Sequence, residues 1–213
     1  MSIIGLIFII IVFLFSVVIH EVAHGRAALA LGDPTAKMAD RLTLNPLKHL
    51  DPFGSIILPG VLILMSMAFG GGIIFGWAKP VPINPFNFRD QKYGEAKVAA
   101  AGPLANISLA LIFGLLLRFL PLGATAYTQS LGLIFGYIIW VNLLLAIFNL
   151  IPIPPLDGSH ILFTFLPPGT ENVRVFLQQY GFFILIFIIF FFFQWLIPVV
   201  NWFFTLIVGV PFF

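Results

Sequence analysis

The chain contains no cysteine, and only 8% of its 213 residues are charged. Without cysteine it can form no disulfide, no thiolate metal site and no cysteine nucleophile. The scarcity of charge, together with 61% hydrophobic residues and a mean hydropathy of +1.11, excludes an ordinary soluble domain. The composition predicts a polytopic membrane protein.

Basic residues are few and scattered, with ten Lys and Arg against eight Asp and Glu. A net charge of +2 without a basic cluster gives no indication of a nucleic-acid surface. If the polar loop at 32–52 is cytoplasmic and region 53–80 returns to the same side, nine of the ten basic residues share that side and Arg118 lies opposite. This positive-inside pattern predicts a cytoplasmic loop.

The apolar segments predict a single all-α membrane domain over 1–213, with about four to six membrane segments. Residues 53–69, which contain Pro59 and Gly60, are apolar over about the minimum length of a span and are expected to be helical. With the residues up to 84 they are predicted to form a hairpin or re-entrant region. The predicted parts are a first helix at 1–31, the re-entrant region at 53–84, spans at 98–120 and 131–158, and a C-terminal span and apolar tail at 175–213.

Residues 70–84, GGGIIFGWAKPVPIN, contain three consecutive glycines and a Pro-x-Pro. This composition favours a membrane-associated β-strand or re-entrant loop over a helix. A strand edge cannot face lipid, so it must lie against protein or a wet cavity. We therefore expect Gly72, Ile73 and Ile74 to bind an extended substrate by edge pairing.

The first apolar segment ends in three groups that are costly to bury, His20, Glu21 and His24. Two histidines four residues apart lie one turn apart on the same helix face, a geometry that binds a divalent metal. Glu21 is beside them as a candidate general base. The alternative is a pair of helix-end histidines with local hydrogen bonds.

A catalytic zinc site commonly has three protein ligands and one position for water. Asp157 is the carboxylate outside the first helix that is embedded in an apolar region, and it follows the proline-rich run NLIPIPPL. Proline frees backbone carbonyls, which is tolerated at membrane depth only beside protein or a water-filled cavity. We therefore predict Asp157 as the third ligand, with His160 as an alternative ligand and a helix N-cap as the alternative role of Asp157.

Asparagines at 106, 142 and 149 occur within the apolar segments around the predicted site. Asn149 follows Asn142 by seven residues on the same helix face and is predicted to reach the metal cavity. Its amide could donate to a developing oxyanion or a substrate carbonyl, the alternative being an interhelical hydrogen bond. Asn106, with Gly102 and Pro103, is interpreted as packing.

Four motifs in order, HEVAH, GWAKPVPIN, AGPLAN and NLIPIPPLDG, resemble those of the site-2 protease family of intramembrane zinc metalloproteases. The resemblance is to the compact form without a PDZ or CBS domain. It implies one zinc ion per chain, bound by His20, His24 and Asp157. It also implies Glu21 as general base and Asn149 as a contact to the oxyanion or the substrate backbone.

The resemblance further implies cleavage of transmembrane segments of other membrane proteins, in a prokaryotic cell membrane, with the active site near the cytoplasmic side. It implies no oligomeric state. One alternative is a divalent-metal transporter, which would need liganding groups at several depths, whereas Glu21 and Asp157 converge on one depth. The other is a homologue that binds transmembrane helices without cleaving them, against which the intact Glu21 argues.

Overall fold

The computed structural model describes residues 3–57, 60–62, 64–65, 78–120 and 126–212. Within these ranges the chain is helical and contains no β-strand. Short helical turns occur at Pro46–Lys48, Pro52–Ile57 and Pro85–Asn87. The helices are α1 (Ile3–Ala30), α2 (Thr35–Met38), α3 (Gly94–Phe119), α4 (Ala126–Asn149), α5 (Asp157–Phe165) and α6 (Glu171–Val208).

Four segments in the described part of the chain are long and apolar enough to cross a membrane, which confirms the prediction of an all-helical polytopic membrane protein. They are Ile7–Ala30, Gly94–Phe119, Ser130–Asn149 and Glu171–Val208. Helix α6 continues through Pro198 to Val208, so most of the predicted apolar tail extends the last span. Its 38 residues make a helix of roughly 57 Å, longer than the hydrocarbon core.

The predicted strand is not confirmed. Residues 78–84 are irregular rather than strand-like, and the rest of the prediction, including Gly72, Ile73 and Ile74, lies outside the described residues. The irregular part contains Pro80 and Pro82, and a proline has no N–H to donate to a strand ladder. For residues 78–84, the structure therefore does not support the predicted membrane-associated strand.

Helix α3 is central and packs against α1, α4 and α6. Its contact with α4 and α6 contains a buried apolar cluster that includes Ala110, Leu143 and Phe204. At Gly114 an added Cβ would collide with Ile207 of α6, so the glycine allows the two helices to approach closely. Close packing through small residues is the usual way in which helices associate inside a bilayer.

The segment at 79–89, which we call the strap, is attached to the polar end of α1. Asp33, which is fully buried, accepts hydrogen bonds from the Asn84 backbone N–H at 2.7 Å and from Asn87 Nδ2 at 2.8 Å. It also accepts from the backbone and the hydroxyl of Thr35. Burial opposes ionisation, but the hydrogen bonds from Thr35, Asn84 and Asn87 outweigh it and lower the pKa of Asp33.

We expect Asp33→Asn to reduce the loss of stability in acid. Because the folded-state pKa of Asp33 lies below its ordinary value near 3.8, its ionised form stabilises the fold above that value. That stability is lost as the pH falls through the folded-state pKa. Melting temperatures of detergent-solubilised protein between about pH 6 and pH 3 should fall less for Asp33→Asn than for wild type. Asp40→Asn, at an exposed carboxylate, is the control, and equal slopes in Asp33→Asn and wild type would contradict the assignment.

Candidate active site

A proline-rich turn brings Asp157 to the histidines of α1. Helix α4 ends at Asn149, and α5 begins at Asp157 after an irregular turn. A Cβ at Gly158 would strike the carbonyl groups of Leu150 and Ile151, so the close return of the chain requires glycine there. The turn thus places the first residue of α5 against α1.

Three electron-rich atoms meet at this point. His20 Nε2 lies 3.0 Å from His24 Nε2, and Asp157 Oδ2 lies 3.1 Å from the first and 3.3 Å from the second. Both histidines are buried, and Asp157 is largely shielded. In the described part of the chain, these residues form the one group of three or more metal-ligating side chains within such reach.

Hydrogen bonds fix which ring nitrogen each histidine presents. His24 Nδ1 lies 2.7 Å from the Val98 carbonyl, which can only accept, so Nδ1 carries the proton. His20 Nδ1 lies 2.6 Å from Asn106 Oδ1 and donates in the same way. In a neutral ring the remaining Nε2 then offers a lone pair, so both histidines direct lone pairs at Asp157.

This arrangement fits a zinc ion. Asp157 Oδ2 is buried and has no hydrogen-bond partner, and the two Nε2 atoms that approach it have no proton to give. Ligands at 2.0–2.1 Å from a tetrahedral zinc lie about 3.3–3.4 Å apart, close to the separations of these three atoms. Two imidazoles and a carboxylate are also a donor set that zinc uses in catalytic sites. A cation removes the mutual repulsion of the three atoms.

Gly102 of α3 makes room for the two rings. A Cβ there would lie 2.6 Å from His20 Nε2 and closer still to His24 Nε2. Any side chain at position 102 would therefore occupy the space into which the lone pairs point. Together with the unpartnered oxygen of Asp157, this space supports the assignment of a metal site.

A cavity of about 400 Å³ opens from His20, His24 and Asp157. Glu21 and Asn149 both line it. Glu21 Oε2 accepts a hydrogen bond from the Val81 backbone N–H at 2.9 Å, and Asn149 Nδ2 donates to the Leu145 carbonyl at 2.9 Å. The structure thus brings Glu21 and Asn149 to the same cavity as His20, His24 and Asp157.

His160, the alternative ligand, is not part of the ligating group. It lines the cavity, but its side chain is 55% exposed and its Nδ1 lies 4.0 Å from Glu95 Oε2. One turn of helix α5 separates it from Asp157, which alone reaches α1. Of the two candidates for third ligand, the geometry favours Asp157.

Asn106 has a role that the sequence interpretation as packing missed. It is fully buried, and besides accepting from His20 it donates from Nδ2 to Asn142 Oδ1 at 2.7 Å. Asn142 Nδ2 in turn donates to Ser16 Oγ at 2.9 Å. A signal was present in the sequence, because Asn106 follows Gly102 by four residues and therefore shares its helix face.

Two buried histidines and a carboxylate meet beside a cavity, among helices that are apolar enough to span a membrane. This combination is typical of a membrane metalloenzyme. Comparison with known families is specific on this point. Residues 8–127 and 121–188 match the profile of Peptidase family M50. The chain belongs to this family, the site-2 protease family, and is a zinc metalloprotease.

The chain is similar to bacterial proteins that are named as zinc metalloproteases. It is 40% identical to YwhC of Bacillus subtilis (strain 168) over 179 residues, covering 82% of this chain and 76% of YwhC. It is 31% identical to Rip2 of Mycolicibacterium smegmatis over 197 residues, covering 91% of this chain and 69% of Rip2. No solved structure gives a significant match.

We expect Gly102→Ala to lower the zinc affinity by about tenfold or more, because the new methyl group displaces both imidazoles. Zinc retained after dialysis against a competing chelator measures this. Gly132→Ala is the matched control, since a Cβ there meets only Leu117 Cδ1 at 3.8 Å. Equal zinc retention in the two variants would show that the space beside Gly102 is not the metal site.

Replacement of Asn106 by Leu removes the acceptor for His20 Nδ1 while conserving most of the volume. We expect the zinc affinity to fall by about 10–100-fold, because the imidazole loses its fixed tautomer and orientation. The matched control is Asn201→Leu, which removes the hydrogen bond from Trp140 Nε1 to Asn201 Oδ1, another interhelical amide contact. A similar loss of zinc in both variants would indicate general destabilisation instead.

Proposed function

We propose that the protein is an intramembrane zinc endopeptidase that hydrolyses peptide bonds in or near transmembrane segments of other membrane proteins. The observation that carries the proposal is that His20, His24 and Asp157 converge at the edge of a cavity that Glu21 also lines. Glu21 and both histidines lie on a helix that is apolar enough to span the bilayer. The reactive groups are thus attached to a membrane helix rather than to a soluble domain.

His20, His24 and Asp157 are the proposed ligands of one zinc ion per chain. When bound there, zinc supplies Lewis-acid activation of a water molecule and of a substrate carbonyl. Glu21 is the proposed general base, which accepts a proton from the attacking water and returns it to the leaving amine. Glu21 directly follows His20 in α1, and its Oε2 accepts a hydrogen bond from the Val81 backbone N–H.

Asn149 is the proposed partner of the substrate carbonyl. It lies at the end of α4, and one N–H of its amide is directed to the Leu145 carbonyl of its own helix. A primary amide has a second N–H, which can donate to an oxyanion as it develops. The hydrogen bond to Leu145 restrains the amide plane, so that the second donor needs little reorganisation.

A peptide bond inside a transmembrane helix has its carbonyl in a hydrogen bond, so the segment must unwind before cleavage. A cavity of about 400 Å³ offers room for a few residues of unwound chain. We propose that Gly72, Ile73 and Ile74 pair with this extended substrate, as the composition around them suggests. Cleavage of this kind suits regulated intramembrane proteolysis of a membrane-anchored substrate.

We further propose a location in the cell membrane of a prokaryote, with the active site near the cytoplasmic face. His24 lies in the last two turns of α1 together with Arg26, and the segment after the helix contains Lys37 and Arg41. Basic residues next to a span are retained on the cytoplasmic side. That orientation places the ligating residues close to the cytoplasmic boundary of the bilayer.

We expect Glu21→Gln to retain about one zinc ion per chain but to lose cleavage of a reconstituted transmembrane substrate by about 10²–10⁴-fold, because a general base contributes a factor of that size. Asp157→Ala should lose both the zinc and the activity. Zinc analysis and a gel-based cleavage assay, run on the same preparations, separate the two roles. Glu171→Gln, a conservative change at an exposed glutamate at the start of α6, serves as control.

Full cleavage by Glu21→Gln would rule out this residue as the base. Full zinc occupancy in Asp157→Ala would exclude the carboxylate as a ligand. If zinc-loaded wild-type protein cleaves soluble peptides but no transmembrane substrate, the intramembrane part of the proposal is wrong, whereas the metal site remains.

A further inference from the structure

Hydrogen bonds hold the strap at both ends, and they come from residues that take no part in the proposed reaction. At its start, the Lys79 N–H donates to the His49 carbonyl at 2.9 Å, and Arg41 Nη2 donates to the Lys79 carbonyl at 2.7 Å. At its other end, Asp33 accepts from Asn84 and Asn87 as described above. The strap therefore crosses the end of α1 as a fixed segment.

Arg41 and Asp33 are charged residues in a polar segment, where such side chains are normally exposed to solvent. Arg41 is only 8% exposed and Asp33 is fully buried. Burial of such groups is unfavourable unless hydrogen bonds compensate for the lost solvation. In the described part of the chain, the side-chain hydrogen bonds of Arg41 go to the Lys79 and Pro80 carbonyls, so its burial is linked to the strap.

The middle of the strap contacts the catalytic face of α1. Val81 is 5% exposed, and a Cβ at Gly25 would lie 3.0 Å from Val81 Cγ1. Gly25 follows Glu21 by four residues, so the absence of a side chain there lets the strap lie directly beside Glu21. The Val81 N–H then donates to Glu21 Oε2 at 2.9 Å.

Val81 is flanked by Pro80 and Pro82, which have no backbone N–H. Val81 therefore supplies the only amide donor in this stretch of three residues, and that donor is directed at Glu21. The strap offers one hydrogen bond at this point and gives it to the carboxylate of the proposed base.

We propose that the strap positions the general base: the Val81 amide holds the Glu21 carboxylate in place beside the metal site, and Asp33 and Arg41 hold the strap. The proposal rests on the role of Glu21 proposed above. A glutamate has several rotatable bonds, and the cavity beside it is wide enough to admit other rotamers. A displacement of about 1 Å of a reacting group can reduce the rate by about 10²-fold, so a single well-placed donor matters.

Val81→Pro tests the proposal, with Val81→Ala as its matched control. Both variants lose the valine side chain, but only proline removes the N–H that donates to Glu21. We expect Val81→Pro to keep its zinc and its KM within about twofold, while kcat falls about 10–100-fold below that of Val81→Ala. The split between kcat and KM matters, because a segment that only bound substrate would change KM instead.

A double-mutant cycle tests whether Asp33 acts through Val81. Asp33→Ala should lower kcat about tenfold in the Val81→Ala background but less than about twofold in the Val81→Pro background, where the contact is already absent. Assays at neutral pH, below the melting temperature of all four proteins, remove the contribution of unfolding. Asp40→Asn, at an exposed carboxylate of the same loop, should leave kcat unchanged.

Equal kcat in Val81→Pro and Val81→Ala would overturn the proposal, as would loss of zinc in Val81→Pro or full additivity in the cycle. If Val81→Pro does not fold, Asp33→Ala compared with Asp40→Asn decides the question by the same split between kcat and KM. Failure of the proposed function has a different signature, since Glu21→Gln would then cleave as fast as wild type. The two failures are therefore distinguishable.

Discussion

The mutual repulsion of three electron-rich atoms is the constraint on which the rest of the structure depends. The Nε2 atoms of His20 and His24 and the Oδ2 atom of Asp157 lie 3.0–3.3 Å apart in a buried place. Such an arrangement is unfavourable at low dielectric unless a cation binds between the atoms. Zinc held by these residues, as proposed, would therefore stabilise the contact between α1 and α5 as well as supply chemistry.

The helix packing and the metal site share the same interactions. Asn106 binds His20 and also connects α3 to α4 through Asn142, which binds Ser16 of α1. These hydrogen bonds hold three spans together where lipid offers no hydrophobic drive for association. They also fix the tautomer of His20, so a change in the packing of α3 would be transmitted through Asn106 to the proposed zinc site.

Polar segments beyond the ends of the spans complete the site. The spans position His20, His24 and Asp157, but the partner of Glu21 comes from the strap, and the strap is held by Asp33 and Arg41, which follow α1. This division fits the physical setting, because irregular backbone with its exposed N–H and C=O groups is tolerated only against protein or a wet cavity. The strap can therefore supply a free backbone N–H to the cavity, which a regular lipid-facing helix cannot do.

The sequence by itself determined the spans, because long runs of apolar residues have no other stable environment. It also determined the pairing of His20 with His24, because helical periodicity places them on one face. It also pointed to Asp157, a carboxylate in an apolar segment. Only the tertiary structure decided that Asn106 orients His20, that the Val81 amide donates to Glu21, and that Gly102 makes room for the rings. These contacts join residues 60 to 86 positions apart, and helix packing, which no local pattern encodes, sets such distances.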